Sequence, residues 1–135
     1  MEERNLIKGL LLLLLSCAFV TVAPVFAQGG GKAEPLRIEF RRGAKSATVK
    51  GKVRRDEQAE FAFTARQGQQ VSILLSSKPI RSARFELTGP GEDSQLKYNG
   101  YNWSGTAPLT GDYLIYVSKP GGINSSSFSL TLIIK

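Results

Sequence analysis

Apolar and polar residues alternate along most of the chain from Leu36 onward. A period of two puts successive side chains on opposite faces of an extended strand, so each such segment has one apolar face. No segment after Leu36 has the period of an amphipathic helix, and the pattern predicts about seven to nine short strands. The apolar sets expected to face a core are Leu36, Ile38 and Phe40; Ala47, Val49, Gly51 and Val53; Phe61, Phe63 and Ala65; Val71, Ile73 and Leu75; Ala83, Phe85 and Leu87; Tyr113, Ile115 and Val117; and Phe128, Leu130, Leu132 and Ile134.

Turn residues separate these segments. Gln67-Gly68-Gln69 predicts a short hairpin turn between the strands on either side of it. Gly89-Pro90-Gly91 ends a strand, because proline cannot donate to the ladder and glycine tolerates φ > 0. Strands with one apolar face bury that face when two sheets stack. The predicted fold is therefore all-β, an antiparallel two-sheet β-sandwich over residues 36–135, with a small barrel as the alternative.

The segment from Trp103 to Val117 carries the most specific local signal. A tyrosine two residues after a turn glycine, at the start of a strand, is typical of a tyrosine corner. Tyr113 stands in this relation to Gly111, so its hydroxyl is expected to bond backbone near Leu109. Trp103 is expected to anchor the core, and a sugar-stacking role at the surface is the alternative.

The first 27 residues have the pattern of a secretory signal peptide. A charged start is followed by a leucine-rich apolar run, and Val25-Phe26-Ala27 provides small residues before a cut at Gln28. The run is nearly long enough to span a bilayer, which is one alternative. Lipidation of Cys17 is another, but that cut would leave an apolar tail over residues 18–27. The preferred interpretation is an exported protein, periplasmic or secreted, with a flexible Gly-rich leader over residues 28–35.

The chain predicted to remain after export has neither histidine nor cysteine, which limits its chemistry. The chain contains no histidine, and its single cysteine lies in the predicted signal peptide. Ser-His-Asp and Cys-His catalysis and ordinary zinc sites are thereby excluded. The prediction is a binding protein that is not an enzyme, with no catalytic residue, metal or cofactor.

Basic residues are concentrated between residues 37 and 55, which contain the first two predicted strands. The predicted cut removes two basic and two acidic residues, so the net charge of +7 is unchanged. Pairing of the first two predicted strands as a hairpin would collect their basic residues into one stripe that attracts anionic envelope polymers. No aromatic residues are interleaved with them, so no nucleic acid is expected as a partner. The alternative is a merely solvated face. The residues of this candidate site are Arg41, Arg42, Lys50, Lys52 and Arg54.

Four segments together resemble exported bacterial β-sandwich modules of the pre-peptidase C-terminal type and the similar periplasmic inhibitors of goose-type lysozyme. These segments are 61–69, Gly89-Pro90-Gly91, Trp103-Ser104-Gly105 and Thr110-Gly111-Asp112-Tyr113. Inhibitors of the goose-type and invertebrate-type enzymes carry a Ser-Gly-x-Tyr motif on a loop implicated in engaging lysozyme. Thr110-Gly111-Asp112-Tyr113 is similar, with threonine keeping the hydroxyl.

The resemblance implies a lysozyme, goose-type or related, as the partner. The implied contact residues are Leu109, Thr110, Gly111, Asp112 and Tyr113, with Lys119 where these inhibitors have an arginine-bearing stretch. The corner geometry favours a buried Tyr113, which could still hold Thr110 and Asp112 outward.

Overall fold

The computed structural model describes residues 34–91 and 95–135. The predicted signal peptide, Cys17 and most of the predicted leader lie outside the described residues. Within the described residues, no helix has the length and apolar character needed to cross a membrane.

The described residues form nine strands in two sheets. The strands are β1 (Leu36–Arg37), β2 (Ser46–Arg54), β3 (Ala59–Ala65), β4 (Gln70–Lys78), β5 (Arg84–Thr88), β6 (Lys97–Gly100), β7 (Asn102–Thr106), β8 (Gly111–Ser118) and β9 (Ser125–Ile134). One sheet has the order β1-β3-β8-β5-β6 and the other has the order β2-β9-β4-β7. All pairings are antiparallel except the short parallel contact of β1 with β3. The predicted all-β sandwich of seven to nine strands is confirmed.

The predicted hairpin across residues 67–69 is wrong, and the hairpin of the first two strands, on which the basic stripe depended, does not form. The strands flanking residues 67–69 belong to different sheets, since β3 pairs with β1 and β8 whereas β4 pairs with β7 and β9. The turn at residues 67–69 is bonded instead to Ala107, which follows β7. The Gly68 N–H donates to the Ala107 carbonyl (2.9 Å), and the Ala107 N–H donates to the Gln69 carbonyl (2.8 Å). The first two strands are separated in the same way: β1 pairs with β3, and β2 pairs with β9. Among the described strands, β5 and β6 are the consecutive pair that share a sheet and a ladder.

The core lies between the two sheets and contains most of the predicted inward residues. The fully buried aromatic side chains include Phe63, Phe85 and Tyr113, and the Phe63 and Tyr113 rings stack with centroids 5.2 Å apart. Leu36 departs from the prediction, because its side chain is 55% exposed on a strand of only two residues. Trp103 packs against the core while staying partly exposed, and its ring covers Gly105.

The connections between strands lie at two opposite ends of the sandwich. The β3–β4 turn and the β7–β8 connection lie at one end, where Ala65 pairs with Gly111 and Gln70 with Thr106. We call this the Leu109 end. The β8–β9 connection, which begins with Lys119, lies at the other end. The length of β8 therefore separates residues 109–111 from Lys119.

Candidate functional site

A tyrosine corner organises the Leu109 end. The Tyr113 hydroxyl donates to the Leu109 carbonyl (2.6 Å) and accepts from the Leu109 N–H (3.2 Å). Its ring is 2% exposed and stacks on Phe63. The predicted corner is present, and it fixes both backbone polar groups of Leu109 to the core. The Tyr113 ring is therefore part of the core, and its hydroxyl supports the loop through these two hydrogen bonds.

The two residues that follow Leu109 are also held in place. The Thr110 Oγ1 accepts a hydrogen bond from the Gln67 N–H (2.9 Å), which ties the loop to the β3–β4 turn. Gly111 has φ of 152°, and a Cβ there would lie 2.8 Å from the Cβ of Pro90. Only a residue without a side chain fits this approach without a shift of its neighbour. The loop is therefore constrained at each of these positions.

Asp112 closes the loop through a charged network. Its carboxylate accepts two hydrogen bonds from the Arg37 guanidinium, at 2.7 and 3.1 Å, and a third from the Thr64 hydroxyl at 2.7 Å. The Arg37 bonds, followed by the Thr64 bond, lower the pKa of Asp112 to about 2. Both charged side chains are about half exposed, so solvent screens their attraction. This bidentate arginine–carboxylate geometry fixes the orientation of the Asp112 side chain at the start of β8.

The surface of this loop combines one apolar side chain with one free hydroxyl proton. Leu109 is 42% exposed even though its backbone is fixed. The Thr110 hydroxyl accepts from Gln67, and within the described residues its own proton has no acceptor. It can therefore donate to a carboxylate of a partner. An ordered backbone under an exposed leucine and a free donor is suited to protein recognition.

Lys119 lies apart from this loop. The eight residues of β8 separate it from Thr110, a span of about 27 Å along the strand. The structure therefore brings residues 109–113 together and places Lys119 at the opposite end of the sandwich. No single small pocket on a partner can contact both.

The basic candidate residues also divide. Lys50, Lys52 and Arg54 lie on the outward face of β2, whereas Arg41 and Arg42 lie in the turn before β2. The predicted stripe assumed a hairpin of the first two strands, which the sheet order excludes. The hairpin that would have joined all five residues is therefore wrong, and three of them form a row on β2.

An open groove of about 620 Å³ was not predicted from the sequence. Its lining includes Ile80, Arg81, Tyr98, Tyr101 and Asn102. Ile80 is 88% exposed, and the Arg81 guanidinium lies 5.5 Å from the centre of the Tyr101 ring. The groove forms where the β4–β5 connection meets the crossing from β6 to β7, so its residues have no common sequence pattern. No group of three or more potential metal ligands occurs in residues 34–91 and 95–135.

Comparisons with known proteins found similarity in both sequence and fold. A curated inhibitor of g-type lysozyme from Escherichia coli K12 is 28% identical over 102 residues, which cover 76% of this chain and 68% of the inhibitor. The crystal structure of the periplasmic g-type lysozyme inhibitor PliG from Salmonella Typhimurium matches with a TM-score of 0.63 and 25% identity, covering 76% of this chain and 99% of that one. This chain resembles inhibitors of g-type lysozyme in both sequence and fold. No protein-family model matches it.

Two further structures share the fold. PliG from Aeromonas hydrophila matches with a TM-score of 0.65 at 22% identity, covering 75% of this chain and 96% of that one. The pre-peptidase C-terminal domain of a Bacillus anthracis collagenase matches with a TM-score of 0.51 at 17% identity, covering 79% and 100%. Both parts of the resemblance drawn from the sequence are thereby confirmed. The predicted exported or periplasmic location agrees with the PliG proteins, which are periplasmic inhibitors.

Proposed function

We propose that this chain is an exported inhibitor of goose-type lysozyme that has no catalytic activity of its own. Its signal peptide would be residues 1–27, its leader residues 28–35, and its inhibitory domain the sandwich of residues 36–135. The observation that carries the proposal is the corner-supported loop of residues 109–112, on a fold shared with periplasmic inhibitors of this enzyme. The similarity in sequence to the Escherichia coli inhibitor supports the same assignment.

The loop suits an inhibitor because its conformation is set before binding. Ordering a mobile segment on binding costs free energy, and a loop already held by the core avoids most of that cost. In this proposal Leu109 enters a depression of the enzyme, and the Thr110 hydroxyl donates to a carboxylate there. Glycoside hydrolases use carboxylates in their active sites, so an acceptor of this kind is available in the cleft. Tyr113 and the Arg37–Asp112 pair act as the support.

The test measures lysis of bacterial cell walls by goose-type, invertebrate-type and chicken-type lysozymes in the presence of the exported protein. Inhibition of the goose-type enzyme is expected. Full activity of all three enzymes with the protein in micromolar excess would refute the proposal.

A matched pair of leucine variants locates the contact. Leu109 and Leu74 are similarly exposed, at 42% and 45%, but Leu74 lies on the outward face of β4. We expect Leu109→Ala to raise the inhibition constant about tenfold or more, as truncation of a central apolar contact does. Leu74→Ala should leave the constant unchanged. Equal effects of the two variants would exclude the loop as the inhibitory surface, and Lys119→Ala would show whether the contact extends to the opposite end.

A further inference from the structure

The charge of the sandwich is divided unequally between its two sheets. The four-stranded sheet contains no aspartate or glutamate and carries four cations, Lys50, Lys52, Arg54 and Lys78. The five-stranded sheet carries three cations, Arg37, Arg84 and Lys97, and three carboxylates, Glu60, Glu86 and Asp112. The strands of one sheet thus sum to +4 and those of the other to zero. The excess positive charge of the strands lies on one outward face.

The four cations flank a row of short hydroxyl side chains. In the ladder, Lys52 pairs with Ser127, and Ser127 pairs with Lys78 on the far side. Lys50 pairs with Ser129 in the next outward row. Neighbouring strands lie about 4.8 Å apart, and alternate residues lie about 6.8 Å apart along a strand. The result is a shallow trough along β9, with a serine floor and long basic side chains rising beside it.

The side chains of this trough are available to a ligand. Within the described residues, Lys50, Lys52 and Lys78 form no ion pair, and the hydroxyls of Ser127 and Ser129 form no hydrogen bond. Along β2 the cations are Lys50, Lys52 and Arg54. Glu57 accepts a hydrogen bond from the backbone N–H of Arg54 (3.0 Å), so a carboxylate lies at the Arg54 end of β2. The three lysines are therefore the main cations of the trough.

Protection of a sheet edge does not account for this arrangement. Lysines on an edge strand discourage pairing between molecules, and β2 is an edge strand. However, Lys78 lies on β4, which pairs with β9 as far as Lys78 and with β7 only as far as Leu74, so it is not on the edge strand that carries Lys50 and Lys52. Its position opposite Lys52 makes the trough positive on both sides at Ser127, whereas in the next outward row Ser129 lies between Lys50 and Ser76.

We propose that this trough binds a linear anionic polysaccharide, which lies along β9. The lysines contact its acidic groups, and the serine hydroxyls between them bond to sugar hydroxyls. A single chain fits a floor one strand wide, whereas a bilayer surface would make no use of it. The site differs from that proposed from the sequence, because it includes Lys78 and excludes the turn of Arg41 and Arg42. It is also separate from the inhibitory loop, so the two proposals stand or fall independently.

The test measures binding of the exported protein to dextran sulfate, with neutral dextran of the same length and phosphatidylglycerol vesicles as comparisons. The double variant Lys50→Gln with Lys52→Gln should bind dextran sulfate about thirtyfold more weakly, if each lysine contributes as much as one beside an anionic surface. A matched double variant, Arg84→Gln with Lys97→Gln, removes the same charge from the other sheet and should change binding less than threefold. Lysozyme inhibition should be unchanged in both.

A second variant guards against misfolding of the first. Ser127→Asp places a carboxylate between Lys52 and Lys78 at an exposed position and should also weaken binding at least tenfold. Equal losses in the two charge-matched double variants would show that net charge alone acts, and would overturn the proposal. Tighter binding to vesicles than to dextran sulfate would overturn it too, in favour of a lipid surface.

Discussion

Replacing Tyr113 with phenylalanine isolates the contribution of the corner hydroxyl. The ring is stacked on Phe63 with an interplanar angle of 15° and fills the core, so a phenylalanine ring keeps the same packing. What is lost is the hydrogen bond to the Leu109 carbonyl at 2.6 Å and the one from the Leu109 N–H at 3.2 Å. The change therefore tests whether this hydroxyl fixes the loop.

The expected loss of folding free energy is moderate. A typical intramolecular hydrogen bond contributes about 1 kcal/mol net. The bond at 3.2 Å is at the long limit for N–H donors and adds less than that. Leu109 is partly exposed, so water can reach its freed backbone groups and no full desolvation penalty applies. We expect Tyr113→Phe to destabilise the domain by about 1.5 kcal/mol, which corresponds to about 6–12 °C in Tm for a domain of this size.

The assay is urea unfolding of the exported protein, paired with inhibition of goose-type lysozyme. Tyr116→Phe is the matched control, because Tyr116 lies on the same strand, is partly exposed and has no side-chain hydrogen bond within the described residues. We expect it to change stability by less than about 0.5 kcal/mol. Tyr113→Phe should also weaken inhibition severalfold, since a looser loop must be ordered on binding. Indistinguishable unfolding curves for the two variants would refute the role assigned to the hydroxyl.

Two further changes test the remaining supports of the loop. Because the folded-state pKa of Asp112 is about 2, below its ordinary value of 3.8, the stability from its pair with Arg37 is present above about pH 4 and is lost as the pH falls through 2. Asp112→Asn should flatten the dependence of the urea midpoint on pH in this window, and an unchanged dependence would contradict the assignment. Gly111→Ala should destabilise the domain by about 1–3 kcal/mol, since its methyl group would meet Pro90 at a φ of 152°. Gly121→Ala, where the methyl group meets nothing within 4 Å, should have little effect, and equal unfolding midpoints would show that the contact is unimportant.

The features that were predictable from the sequence are local ones. Alternation identified the inward residues of the long strands, because burial of one face requires a period of two wherever the strand lies. The corner was predictable because its glycine, its tyrosine and the backbone that receives the hydroxyl all lie within five residues. Leu36 was misassigned because a strand of two residues at the sheet edge has too few neighbours to be covered.

The candidate site could be predicted only in part. The loop of residues 109–113 is contiguous in sequence, and a family resemblance pointed to it. Its support is not contiguous: the residues Arg37 and Asp112 are 75 positions apart, and no local pattern links them. Lys119 is close to the loop in sequence and far from it in space, because β8 runs the length of the sandwich between them.

The sequence by itself therefore determined most of the buried residues of the long strands, where the turns lie and which tyrosine is bonded to its own loop. Tertiary structure alone decided which strands are neighbours. Alternation specifies a face but carries no information about the sheet to which the strand belongs, so β3 and β4 looked like a hairpin although they lie in opposite sheets. Strand pairing also placed Lys50, Lys52 and Lys78 on one face of the four-stranded sheet. Backbone hydrogen bonds between strands bring residues of distant segments side by side, and no local pattern in the sequence indicates which segments will pair.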